Sequence, residues 1–435
     1  MATKTVLAAV AATLIGVPAH AQSAGDKLAF LIPTLYGPTG LTVDSEARLP
    51  SGETHSAHFN SAFQAEFTQF NIALASQLAA VPLPSSASGF TYELDPTLGV
   101  FQRSTQSFGP ILAERAETIG KRKFSVGFSY QLFTFDTLQG VSLDQIPAVF
   151  THDNPFSGGR ADVVTTLNSI DARVGQTTAF FTFGLLDNVD LSVAVPFVTV
   201  DLDVASEASV QRIGTAGTPA VHFFRDANGG FGGSRRFAAT GTASGLGDVI
   251  LRLKSTVVKS GQTSVAIGVD SRIPTADEED LLGSGSPGVK PFLALSVASR
   301  NFAPHLNVAY QWNGDSVLAG NVMTGEKGDM PDQVLYAAGL DIGLTEKFTI
   351  AFDVLGRYVI DSPRLNSTTF RTIDVGSTFP NIHFDTGSFS VVDGAVGLKI
   401  NLGGKLLADF NALFKLNEAG LRDTFTPLVG IEYSF

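Results

Sequence analysis

Down the second half of the chain, ionisable residues of both signs recur at even spacings: Asp248, Arg252 and Lys254; Asp270 and Arg272; Asp353 and Arg357; Asp393 and Lys399. On an extended backbone, even spacing puts such residues on one face, because successive side chains point to opposite sides. Asp341, Asp409, Lys415 and Glu432 join the same face of their segments. A face of this kind either lines a polar conduit or forms a self-neutralised ladder that stiffens a wall and holds polypeptide against it. An ion-selective pore uses a ring of one sign. The signs here are mixed, so the ladder is the role expected of Arg252, Lys254, Asp270, Arg272, Asp353, Arg357, Asp393 and Lys399.

Covalent chemistry finds little to stand on. A serine nucleophile needs a base within reach, yet none of His55, His58, His152, His222, His305 and His383 sits beside a serine on an alternating segment. No catalytic residue is assigned, and a lipid-modifying enzyme is the weakest of the readings. His55 and His58 form an H-x-x-H pair without a further ligand, which describes two solvated side chains better than a metal site. The run GGFGG (229–233) sits in a long loop rather than at a strand-to-helix turn, so it is no phosphate cradle. The run DEED (277–280) could bridge divalent cations but reads more simply as a solvated loop. Neither a metal nor a cofactor is expected.

The elements that carry the ladder repeat one pattern. In FSVGFSYQL, Phe124, Val126, Phe128, Tyr130 and Leu132 oppose Ser125, Gly127, Ser129 and Gln131; in LADFNALFKL, Phe410, Phe414 and Leu416 oppose Asp409, Asn411 and Lys415. Charged residues make up 16% of the chain and the mean hydropathy is +0.19, yet no segment after residue 21 has the roughly 18 consecutive apolar residues of a spanning helix. Apolar residues spread by alternation answer that paradox, because a closed β-barrel is the architecture that crosses a membrane with such strands. Twelve strands are expected, near 124–136, 160–184, 189–204, 245–258, 262–274, 289–300, 303–314, 332–344, 347–361, 388–401, 405–416 and 424–435. Tight turns follow the even strands and long segments, including 205–244, 275–288 and 362–387, follow the odd ones. An outer-membrane barrel of a Gram-negative bacterium, with both termini periplasmic, shows this alternation. The fold class is therefore all-β, a transmembrane antiparallel barrel with an N-terminal, partly helical plug. A hairpin at FTYELDPTLGVFQ (90–102) would raise the count to fourteen if it joined the wall.

The start of the chain reads as a secretory signal peptide: Lys4, the apolar run 6–17, and AHA (19–21) for cleavage after Ala21. Residues 22–120 form the plug and 121–435 the barrel. Within the plug, Phe63, Phe67, Phe70, Leu74 and Leu78 recur at helical spacing over 59–80 until Pro82 and Pro84 stop the helix. Phe63, Phe67, Phe70 and Leu74 are the candidate ligand-binding residues. Phe150, Phe156, Phe223, Phe224, Phe231, Phe370 and Phe379 fall among the external loops, where aromatic side chains imply a shared cluster. The absence of cysteine excludes disulfide staples, and the net charge of −12 argues against nucleic acid. The strand ending in Phe435 resembles those that barrel-assembly machinery recognises; membrane lipids and lipopolysaccharide are the other expected partners.

Two stretches, SGLGDVILRLK (244–254) and DSRIPTADEEDLLGSGSPGVKPFLALS (270–296), resemble the outer-membrane transporters grouped under meta-pathway phenol degradation. These are similar in turn to the FadL-type long-chain fatty-acid transporters. The resemblance, over about 120–435, implies passive uptake of hydrophobic small molecules, fatty-acid-like or aromatic, through a plugged barrel. The chain departs from the fatty-acid transporters in lacking an Asn-Pro-Ala start and in having twelve wall strands rather than fourteen. A structural or adhesive barrel with a sealed lumen is the alternative.

Overall fold

A computed structural model describes residues 27–37, 40–43, 58–60, 69–80, 92–95, 100–103, 106–152, 162–212, 222–225, 228–372 and 376–435. The expected signal peptide, and Phe63, Phe67 and Phe156, lie outside these residues. The wall consists of β1 (Phe124–Leu138), β2 (Asp162–Leu186), β3 (Val189–Arg212), β4 (Val249–Ser260), β5 (Thr263–Ile273), β6 (Gly288–Val297), β7 (Phe302–Asn313), β8 (Gln333–Gly343), β9 (Phe348–Arg371), β10 (Thr378–Gly403), β11 (Leu406–Lys415) and β12 (Phe425–Ser434). Each pairs antiparallel with the next. The last pairs with the first, Ser434 opposite Ser125, and the twelve-stranded barrel closes. Phe435 donates its N–H to the Phe124 carbonyl at 2.7 Å and packs its ring against Tyr433.

The faces follow the alternation. Val354, Tyr310, Phe410 and Ile431 point outward and are exposed, while Lys254, Asp341 and Asp353 point inward and are buried. Aromatic residues rim the outward apolar band: Phe302, Phe348, Tyr433 and Phe435 at the short-turn end, and Tyr130, Trp312, Tyr336 and Tyr358 at the other.

Toward the long-loop end the strands outrun the membrane. Along β3, Leu191, Val193, Val195 and Phe197 face out against inward Asp190, Ser192 and Ala194; farther on, Asp201, Asp203 and Glu207 face out against inward Val198, Val200, Leu202 and Val204. The polarity of the two faces inverts within one strand. This inversion explains where the sequence reading stopped short. Most of 362–387, expected as loop, belongs to β9 and β10, and 234–244, also expected as loop, falls in a strand, Ser234–Leu246, that pairs with β3. Phe150 (strand Ile146–His152), Phe370 (β9) and Phe379 (β10) are therefore wall residues rather than loop residues.

The hairpin Tyr92–Asp95/Val100–Arg103 pairs with itself in a separate two-stranded sheet, so the wall holds twelve strands and not fourteen. Helix α1 spans Gln69–Ala79. Phe59, expected in its first turn, lies instead on a short strand, opposite Leu41 and His152, because the ladder of 41–42 and 151–152 takes up its backbone groups.

The inverted zone encloses an apolar core that includes Leu28, Tyr36, Phe59, Phe70, Leu74, Phe133, Phe135, Phe150, Leu202 and Phe224. Of the phenylalanines expected to cluster, Phe150 and Phe224 lie here with Phe59 and Phe70, whereas Phe370 and Phe379 pack separately against Val149 and Val163 and Phe231 is exposed. Tyr36 hydrogen-bonds Asn168 (3.1 Å) and Ser206 (2.9 Å), and burial pushes its pKa up to about 12. Lys27 joins Asp277 and Asp280 of the DEED loop, each at 2.6 Å. Burial opposes its charge, but the two carboxylates outweigh that and raise its pKa.

Candidate functional site in the barrel lumen

Residues 106–120 run through the lumen without regular secondary structure, so their backbone groups need partners outside any ladder. The wall supplies them. Asp353 Oδ2 accepts from the N–H groups of Ile111 (3.2 Å), Leu112 (3.0 Å) and Ala113 (3.4 Å). Its other oxygen meets His305 Nε2 at 2.8 Å, and Nδ1 of the same ring lies 3.2 Å from Asp341, which also receives the Ser107 hydroxyl. Phe108 N–H reaches Thr349, Ala116 N–H reaches Ser296, Ile119 N–H reaches Asp190, and Lys399 donates to the Pro110 carbonyl.

Glu114 is the electrostatic centre of this thread. Its carboxylate binds Arg252 and Lys254, the latter at 2.7 Å. Lys254, fully buried, also donates to the carbonyls of Arg115 (3.0 Å) and Glu117 (2.8 Å). Arg252 holds Asp270 through two parallel bonds of 2.6 and 2.7 Å, a bidentate geometry that satisfies both charges. Asn307 clamps Glu114 by both its N–H (2.6 Å) and its carbonyl (2.7 Å).

A second set of wall side chains grips α1. Arg272 donates to the Ala79 carbonyl at 3.1 Å and to Asn313 at 2.7 Å, Gln333 reaches Ser76, and Arg357 donates to Gln77 Oε1. Cationic donors at the C-terminal end of a helix complement its exposed carbonyls and its dipole.

Between the end of α1 and the thread lies a cavity of ≈ 150 Å³. The wall contributes Phe133, Phe292, Leu335 and Leu355 to its lining, α1 contributes Gln77, and the thread contributes Leu112. Arg252, Lys290, Arg357 and Arg422 reach it from the wall. The arrangement suits a small apolar molecule with a polar end.

The structure thus brings the sequence-derived ladder together as the clamp of the thread and helix. Arg252, Lys254, Asp353 and Lys399 touch the thread, Arg272 and Arg357 touch α1, Asp270 backs Arg252, and Asp393 pairs with Arg422. Phe70 and Leu74 are buried in the apolar core of the inverted zone, and the helix meets the cavity through Gln77 instead. Sequence reasoning passed over Glu114, Asp190 and Asn307. Asp190 and Asn307 were accessible from their inward parity, whereas Glu114 sits in a stretch with no periodicity to place it.

Residues 151–326 match a family model described as "Putative MetA-pathway of phenol degradation". The stretch that carries the sequence resemblance lies wholly inside this match. Among solved structures, the chain is similar to an outer membrane channel from Pseudomonas putida F1 (14% identity, 74% of this chain and 98% of that one, TM-score 0.42). It is also similar to a Pseudomonas aeruginosa FadL homologue (12%, 81% and 97%, 0.32) and to the CymD monoaromatic hydrocarbon channel (9%, 72% and 88%, 0.31). No curated protein matches.

Proposed function

We propose that this barrel takes up hydrophobic small molecules, fatty-acid-like or aromatic, passively across the outer membrane of a Gram-negative bacterium. The observation that carries the reading is the lumenal cavity: a wall apolar at Phe133, Phe292, Leu335 and Leu355 is out of place in a barrel whose interior at that level is otherwise built from charge pairs. The family description, which names phenol degradation, supports an aromatic cargo. On this reading the N-terminal residues form a plug, the ladder positions it, and movement of the thread opens the path. Both termini are periplasmic, and the strand ending in Phe435 serves assembly.

Uptake into proteoliposomes of a radiolabelled fatty acid and of toluene tests the reading; entry of neither class would overturn it. A structural barrel with a sealed lumen is the second reading, favoured by the dense bonding of residues 106–120. It expects no uptake and no solute conductance. Orientation has its own test: an epitope inserted at the exposed Gly230 should be reached by antibody on intact cells, and one at Gly403, the last residue of β10 before its short turn, should not.

A further inference from the structure

Of the cations at the lumenal cavity, Arg252, Lys290 and Arg422 each have a carboxylate partner: Asp270 for the first two, at 2.6 and 3.0 Å, and Asp393 for the third. Arg357 differs. It shares the inward face of β9 with Asp353 and Leu355 and donates to the neutral amide of Gln77; among the described residues no carboxylate is in ion-pair contact with it. Arg357 is part-buried, and the carboxylate nearest to it in the cavity lining, Asp393, is already held by Arg422; a guanidinium so placed has fork donors to offer a further carboxylate. We infer that Arg357 is the headgroup anchor of a ligand site, and that the ligand is a compound of about one ring's size carrying a single carboxylate.

Size and charge both enter the argument. A cavity of ≈ 150 Å³ matches the volume in which an apolar protein cavity accommodates benzene. Phe133, Phe292, Leu335 and Leu355 suit the body of such a molecule, and the planar fork of Arg357 suits a carboxylate bidentately. An entering carboxylate would also compete with Gln77 for Arg357, so ligand binding and the hold on α1 are coupled. This inference rests on the uptake reading for its biological meaning, but the site can be tested without transport.

The experiment measures equilibrium binding of benzoate and of benzamide, its uncharged isostere, to the full-length protein in detergent. Uptake of both, with toluene alongside, is measured in proteoliposomes. Benzoate should bind more tightly than benzamide. Arg357→Gln should weaken benzoate at least about tenfold, the loss of a charged hydrogen-bonded partner, and weaken benzamide by much less; Arg357→Lys should restore part of the loss. Leu355→Trp, which fills the cavity, should abolish binding of both, and the heat-induced shift in gel mobility checks that each variant folds. Equal affinities in the unaltered protein, or benzoate binding indifferent to Arg357→Gln or to Leu355→Trp, overturn the inference. If toluene enters while benzoate neither binds nor enters, the inference falls and the uptake reading stands. If benzoate binds through Arg357 while nothing enters, the site stands and the uptake reading falls.

Discussion

The two halves of β3 form a natural comparison. From Val189 to Phe197 the strand shows lipid its apolar side and the lumen its polar side; from Val198 to Arg212 the same parity of residues shows charge outward and aliphatic side chains inward. β2 repeats the change, with outward Phe181 and Phe183 at one level and outward Asp171 and Arg173 at the other. One backbone therefore serves two solvents. In the membrane zone the interior is held by directional, charge-assisted bonds between wall and thread. In the extension it is held by area, as in a water-soluble protein. Identical substitutions should give opposite answers in the two zones.

The largest effect belongs to the membrane-zone lumen. Among the described residues, Glu114→Ala removes the one salt bridge of Lys254, leaving it Asp190 across the ladder, and one of the two salt bridges of Arg252. The expected cost is about 3–5 kcal/mol, as for breaking a buried pair from one side. The temperature of the heat-induced mobility shift measures it, and an unchanged transition would show that the thread does not depend on the pair.

Next comes the interior of the extension. Leu202→Ala should cost about 2–5 kcal/mol through the cavity it leaves, while Leu191→Ala, facing lipid on the same strand, should cost far less because lipid fills the gap. Comparable losses in a denaturant titration would erase the distinction between the zones.

Arginine scanning sharpens the outer face. Val193→Arg should destabilise by about 2–4 kcal/mol if it lies near the bilayer midplane, and Ala205→Arg, outward on the same strand but past the inversion, by no more than about 0.5 kcal/mol. The smallest effect is at the DEED loop. The pKa of Lys27 is raised in the folded protein, so its contribution is fully present below its ordinary value of 10.5 and disappears as pH rises through the folded value. Lys27→Met should remove less than about 1 kcal/mol and flatten that alkaline loss. A midpoint that falls equally in both proteins between pH 9 and 12 would disconnect Lys27 from it.

The same comparison explains what could be read from the residues alone. Membrane-zone strands were legible because lipid enforces an outward apolar face, and Phe352, Val354 and Tyr358 against Asp353 and Arg357 leave one assignment of faces. Ladder residues came with that parity. Past the inversion the pattern still alternates but no longer with the phase of a membrane strand, so residues 362–371 and 378–387 read as loop. The thread was opaque for a different reason: its conformation is dictated by side chains of strands far away in sequence, such as Asp353 for Ile111 to Ala113, and no local propensity encodes that. Phe70 and Leu74 show a third limit, since helical spacing identifies a packed face without saying whether protein or ligand packs on it.

The thread has a mechanical consequence as well. Through Asp190, Thr256, Ser296, Asn307, Asp341, Asp353 and Lys399 it is fastened to seven of the twelve wall strands, from β3 to β10 with only β5 passed over. A tube of strands resists stretching along its hydrogen bonds but ovalises easily when squeezed from the side. Cross-bracing at mid-height removes that soft deformation, much as a spoke fixes the shape of a rim. Cutting the brace, for example by changing Asn307 and Asp353 together to alanine, should leave strand pairing intact yet broaden the distribution of distances between spin labels placed on opposite walls.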